Sequence, residues 1–178
     1  EKDIQPLTAM LETKHKFDAL SVIAALNLKG AIPAVQAKKE DTEMGAPICR
    51  VLAMLGDKTV IPALKAQYET GGEPLKLRVL GALKSLGDPD LAVFFIQQLD
   101  HEFVSIRRAS LNCLVALGTQ VLPVLAESIE KAGVTQKRCL LEAIGMLKTR
   151  ACGIVLMQHC SVSASRSEEH TYELQSTN

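Results

Sequence analysis

A break of one kind returns about every thirty residues along this chain, and that period limits the possible folds more than any other feature. Aligned on the leucine before the break, the anchors are Leu26, Leu55, Leu86, Leu117 and Leu147, spaced by 29, 31, 31 and 30 residues. Three residues before each anchor stand Ile23, Leu52, Leu83, Leu114 and Ile144, and four before stand Val22, Val51, Ala82, Cys113 and Ala143. Leu20, Cys49, Leu80, Leu111 and Leu141 come six before. Apolar residues at such spacings share one face of an α-helix. After four of the anchors come Asn27, Gly56, Gly87 and Gly118, residue types that can end a helix in the left-handed conformation. Asp57 and Asp88 follow as acceptors for the amides of the next helix start, and Pro33, Pro62 and Pro123 suit a first turn whose N–H groups have no intrahelical partner. A second apolar helix then begins, as in "VIPALKAQY", "LAVFFIQQL" and "VLPVLAESI". Each period is therefore a helical hairpin. Between hairpins, Gly71-Gly72 reads as a flexible turn and Glu73-Pro74 as the next helix start.

Composition agrees with closely stacked helices. Of 178 residues, 47% are hydrophobic but only 3% aromatic, so small and branched aliphatics must fill the core. Lys plus Arg number 20 and Asp plus Glu 20, which leaves no net field to attract nucleic acid or acidic lipid. No apolar run reads as approaching the roughly 18 residues of a membrane span. The opening "EKDIQPLTAML" has no initiator Met and no signal-peptide pattern, so the N-terminus reads as truncated and the expected location is cytoplasmic. Cys49, Cys113, Cys139, Cys152 and Cys160 form no Cys-x-x-Cys pair and are expected to be buried, reduced thiols.

The last residues, "RSEEHTYELQSTN", lose the apolar period. They resemble one reading frame of a widely used short-read sequencing adapter, matching over the first eleven residues except at Tyr172. Residues 166–178 are accordingly expected to be a non-native tail, with 159–165 an uncertain junction, and Glu168, Glu169 and His170 take no functional role. The tail holds one Arg and three Glu, so the rest carries 19 basic and 17 acidic residues.

"SIRRASLNCLVALGTQVLPVLAESI" resembles a short HEAT repeat of the HEAT-like, phycobilisome-lyase-like type, with Ile106, Arg107, Ala109, Cys113, Leu114, Leu117, Gly118, Pro123 and Leu125 filling the pattern. The resemblance spans residues 1–158: a partial repeat over 1–12, then five repeats. The last departs from it, with Lys148-Thr149 in place of Gly-Asp and a degraded second helix in "ACGIVLMQHC". A hairpin buries only part of its apolar surface alone, so stacking must supply the core. The resemblance implies an all-α, right-handed α-solenoid, with first helices on the convex side and second helices lining the concave side.

Ten residues before the anchor stand Lys16, Lys76, Arg107 and Lys137, with Gly45 breaking the series and Arg78, Arg108 and Arg138 close by. One reading is a ladder that tracks nucleic-acid phosphates. The other, which the resemblance suggests, is a structural ladder between repeats, in which Lys76, Arg107 and Lys137 pair with Asp57, Asp88 and loop acids. HEAT-type deoxyhypusine hydroxylases hold iron with His-Glu pairs on their first helices. Here Phe17-Asp18, Ala46-Pro47, Leu77-Arg78, Arg108-Ala109 and Arg138-Cys139 occupy the matching positions. His101-Glu102 lies in a loop, and His15 stands alone near a helix start. No cofactor, metal or catalytic constellation is expected. Aligning Tyr68, Leu99 and Ile129 as core brings Gln67, Gln98 and Ser128 together, with Gln97 and Glu127 just before the last two. That polar ridge on the second helices is the candidate surface for a protein or peptide partner. The Phe94-Phe95 pair is expected to split, one ring in the core and one toward the next repeat or a partner. The expected function is a non-enzymatic scaffold or adaptor; the alternatives are a bilin lyase or isomerase, which would want an exposed Cys152 or Cys160, and nucleic-acid binding.

Overall fold

The computed structural model describes residues 4–38 and 44–157. Cys160, the junction at 159–165 and the adapter-like tail at 166–178 lie outside the described residues. The described chain is helical throughout and contains no strand. A short helix, α1 (Ile4–Met10), precedes five first helices: α2 (Lys16–Ala25), α4 (Gly45–Met54), α6 (Glu73–Leu86), α8 (Val104–Leu117) and α10 (Val134–Leu147). The first four are followed by second helices α3 (Ile32–Gln36), α5 (Ile61–Thr70), α7 (Ala92–Gln97) and α9 (Leu122–Lys131). Residues 150–157 are helical after α10.

The five elbows share a residue of positive φ: Asn27, Gly56, Gly87, Gly118 and Lys148 stand at 50, 91, 59, 75 and 52°. At the first two, the chain folds back until Leu28 N–H donates to Ile23 O (3.1 Å) and Asp57 N–H to Leu52 O (2.9 Å), so carbonyls orphaned by the helix end are satisfied. A single 3-10 turn then leads into α3, α5, α7 and α9 in their respective elbows. Proline stands in the first turn of α3, α5 and α9. Lys148 takes the left-handed position although it is neither Gly nor Asn, so the fifth elbow keeps the geometry that its sequence had lost.

The first helices pack in chain order, α2 on α4, α4 on α6, α6 on α8 and α8 on α10. Each second helix packs against the first helix that follows it, and α7 also meets α9. The result is a helical repeat-like architecture. Its central row, Ile23, Leu52, Leu83, Leu114 and Ile144, is wholly excluded from solvent, as are Leu64, Phe95 and Leu125 on the second helices. Tyr68, Leu99 and Ile129 are buried in register one turn on. One link skips a hairpin: Gln136 Nε2 of α10 donates to Ile96 O of α7 at 2.8 Å.

Four details differ from the sequence reading. Leu26, an anchor, is 62% exposed and Val22 is exposed with it, because this flank of α2 is covered by no described element. Phe94 turns back rather than forward, its ring meeting Tyr68 of the preceding hairpin edge-on at 5.3 Å, so that both phenylalanines are buried. Gly71 is a close approach rather than a flexible turn, since a Cβ there would sit 2.9 Å from Gln67 O. By length and composition Val104–Lys131 is apolar enough to cross a membrane, with a mean hydropathy of 1.6 over its most apolar window. Gly118 divides that stretch into α8 and α9, which pack their apolar faces into the core.

Candidate functional site

The elbow acids organise the edge of the array. Asp57 accepts the Thr59 N–H (2.9 Å) and hydroxyl (2.7 Å) through one oxygen and the Gln36 amide (2.7 Å) through the other. Asp88 caps Asp90 N–H at 3.2 Å and meets Lys58 Nζ at 3.1 Å. Both acids are thus tied to a donor from the preceding hairpin. The first-helix cations find different partners. Arg107 donates to the carbonyls of His101 (2.7 Å) and Glu102 (3.0 Å). Lys76 Nζ lies 3.3 Å from His101 Nε2 and 5.1 Å from the Tyr68 ring centre. The Lys137 side chain makes no hydrogen bond or ion pair within the described residues, its backbone N–H alone donating, to Gly133 O at 2.8 Å. This corrects the expected pairing of Lys76, Arg107 and Lys137 with Asp57 and Asp88. Ten residues of helix separate these cations from the anchor, about 15 Å of rise, so they reach the loop between hairpins rather than the elbow.

The five ridge residues behave unequally. Gln98 accepts the Tyr68 hydroxyl at 2.9 Å, and burial pushes that hydroxyl's pKa up to about 12. Ser128 donates to Val124 O of its own helix at 2.7 Å. Glu127 is held by Lys131 at 2.9 Å, a hydrogen bond that draws its carboxyl below the usual range. Gln97 is exposed, and its amide bonds to nothing among the described residues. Gln67 is half-buried, and its side-chain oxygen is shielded without a donor. The ridge members whose amides lack a partner among the described residues are therefore Gln67, which is half-buried, and Gln97, which is exposed.

Sequence reasoning missed a groove on the other set of helices. α2, α4 and α6 each turn the same four-residue face toward it, at spacings of zero, three, four and seven, beginning at Phe17, Pro47 and Arg78. The groove holds about 560 Å³. Its walls are apolar at Phe17 and Met54, its α6 side is small at Gly81 and Ser85, and two guanidiniums, Arg50 and Arg78, stand in it. The repeated spacing was visible in the sequence, but apolar and small residues at helical intervals read as core.

The other candidates settle into the frame. His101 Nδ1 accepts Phe103 N–H at 3.2 Å, and among the described residues no three of His, Cys, Asp and Glu come together as metal ligands. Cys49, Cys113, Cys139 and Cys152 are buried thiols. Burial pushes the Cys113 thiol up to about 12, and Cys152 Sγ receives the Thr149 hydroxyl at 2.9 Å.

Compared with known proteins, the chain matches no family model, and no curated protein matches it.

Proposed function

We propose that this chain is a non-enzymatic scaffold of the HEAT-like kind, a right-handed α-solenoid that holds a protein partner along the concave side lined by its second helices. The observation that carries the reading is a pair of unpartnered amides on consecutive second helices, Gln67 on α5 with its shielded oxygen and the exposed Gln97 on α7, one residue out of register with each other. An amide both donates and accepts, so a row of them can follow a partner's peptide groups. A shielded acceptor without a donor costs about 1–3 kcal/mol, which a partner's N–H would recover once the Gln67 side chain turns outward. The stiff repeat frame holds such groups at a fixed spacing over a long surface. Neutral charge balance favours this over phosphate tracking, and the burial of Cys152 favours it over chemistry at that thiol.

The test is photo-crosslinking from position 97 of the full chain in a lysate of its source, repeated with Gln67→Ala. A discrete protein adduct that weakens about tenfold in Gln67→Ala supports the reading. Adducts indifferent to Gln67→Ala, or a chromophore or nucleic acid as the crosslinked species, overturn it.

A further inference from the structure

The groove across α2, α4 and α6 lies on the first helices, away from the ridge just discussed. Its two cations define its chemistry. Within the described residues the guanidinium of neither Arg50 nor Arg78 has a hydrogen bond or an ion pair, although both line the same partly enclosed, mainly apolar space. Burial, with the nearby Arg78 charge adding to it, lowers the pKa of the Arg50 guanidinium. Two like charges brought together without an acid are unfavourable in the free chain, and an incoming carboxylate relieves both the repulsion and the missing hydrogen bonds. The trend continues beyond this groove. A second groove on the same set of helices, between α8 and α10, is lined by Arg107, Arg108 and Arg138 against a single acid, Glu142.

Shape selects the form of the occupant. Gly81, Ala82 and Ser85 of α6 and Ser21 and Ala24 of α2 are small, so a helix backbone can approach closely between them. Phe17, Val51 and Met54 offer apolar contact beside the cations, and Phe17 and Met54 are 46% and 49% exposed. From this we infer that the α2–α4–α6 groove docks an amphipathic helix of a partner protein, whose apolar stripe sits on Phe17, Val51 and Met54 and whose Asp or Glu side chains meet Arg50 and Arg78. This is a helix-in-groove mode of recognition, with anchors at i, i+3, i+4 and i+7 on the incoming helix. Free phosphate or a nucleic-acid backbone would satisfy the guanidiniums but leave the apolar wall uncovered.

The experiment is a selection of displayed helical peptides of about four turns against the full chain, followed by anisotropy titration of the purified winners. The expected winners share an apolar stripe flanked by Asp or Glu. Their affinity should fall at least about tenfold against Arg50→Glu/Arg78→Glu, and comparably against Gly81→Leu, which fills the groove. The space around the Gly81 Cβ position is open and its backbone is ordinary helix, so Gly81→Leu should keep its fold by circular dichroism. Winners without acids, or winners indifferent to both variants, overturn the inference. It is equally overturned if a DNA duplex binds through Arg50 and Arg78 with a steep salt dependence while no peptide does.

Discussion

Ser110 is the one polar residue seven places before an anchor. Ala19, Ile48, Val79 and Leu140 fill the corresponding places, and all five side chains are wholly buried. The Ser110 hydroxyl has no hydrogen-bond partner among the described residues. Its desolvation is uncompensated, so Ser110→Ala should raise stability by about 1 kcal/mol and Tm by about 2–4 °C, read by thermal circular dichroism. A lowered Tm would mean that the hydroxyl is satisfied after all. Cys113 makes a prediction about pH. Its folded pKa is raised by burial from 9.0 to about 12, so the folded chain keeps a proton that the unfolded chain loses first. The contribution is complete below pH 9 and is lost as pH rises toward 12; Tyr68, raised to about 12, acts in the same direction. Urea midpoints should therefore decline across that window. Cys113→Ala should start lower but decline less steeply, and an unchanged slope would show that the thiol is not the source. Cys113 was legible as core from the period, whereas Ser110, seven before its anchor, was not among the positions aligned. The fate of a polar atom at a core position was not legible either, because it depends on what the neighbouring helices present.

Helix boundaries were the most legible features at the scale of the element. Gly56, Gly87 and Gly118 mark elbows because a residue without Cβ takes positive φ and ends a helix at little cost; all three have positive φ, Gly87 in the left-handed helical region and Gly118 with an extended ψ of -159°. The fifth elbow had no such mark. Lys148 is left-handed because the helices on either side of it must still turn, and a side chain there costs about 1–2 kcal/mol. Lys148→Gly should therefore stabilise the chain by about 1 kcal/mol, shifting the urea midpoint upward at constant m-value. No shift would mean that the turn relaxes freely around lysine. Sequence spacing could not say which neighbour covers a given flank. Leu26 and Leu55 are equivalent by period, yet Leu26 is 62% exposed and Leu55 buried, because burial at this position is a property of the helix alongside. The same limit applied to Phe94, whose direction is set by Tyr68 in another hairpin.

For the whole molecule, the period gave the order of the hairpins and the row of first helices, but not the link from Gln136 to Ile96. A glutamine in the first turn of a helix carries no signal of a reach across forty residues. Its consequence is mechanical. A stack joined only between neighbours resembles a carpenter's folding rule, in which every joint pivots by itself and small rotations accumulate along the length. A strut from α10 to α7 spans two joints at once and triangulates them, as a diagonal does in a truss panel. The hydrogen bond thereby ties the third hairpin directly to the fifth, so that a rotation at either joint between them must bend or break it.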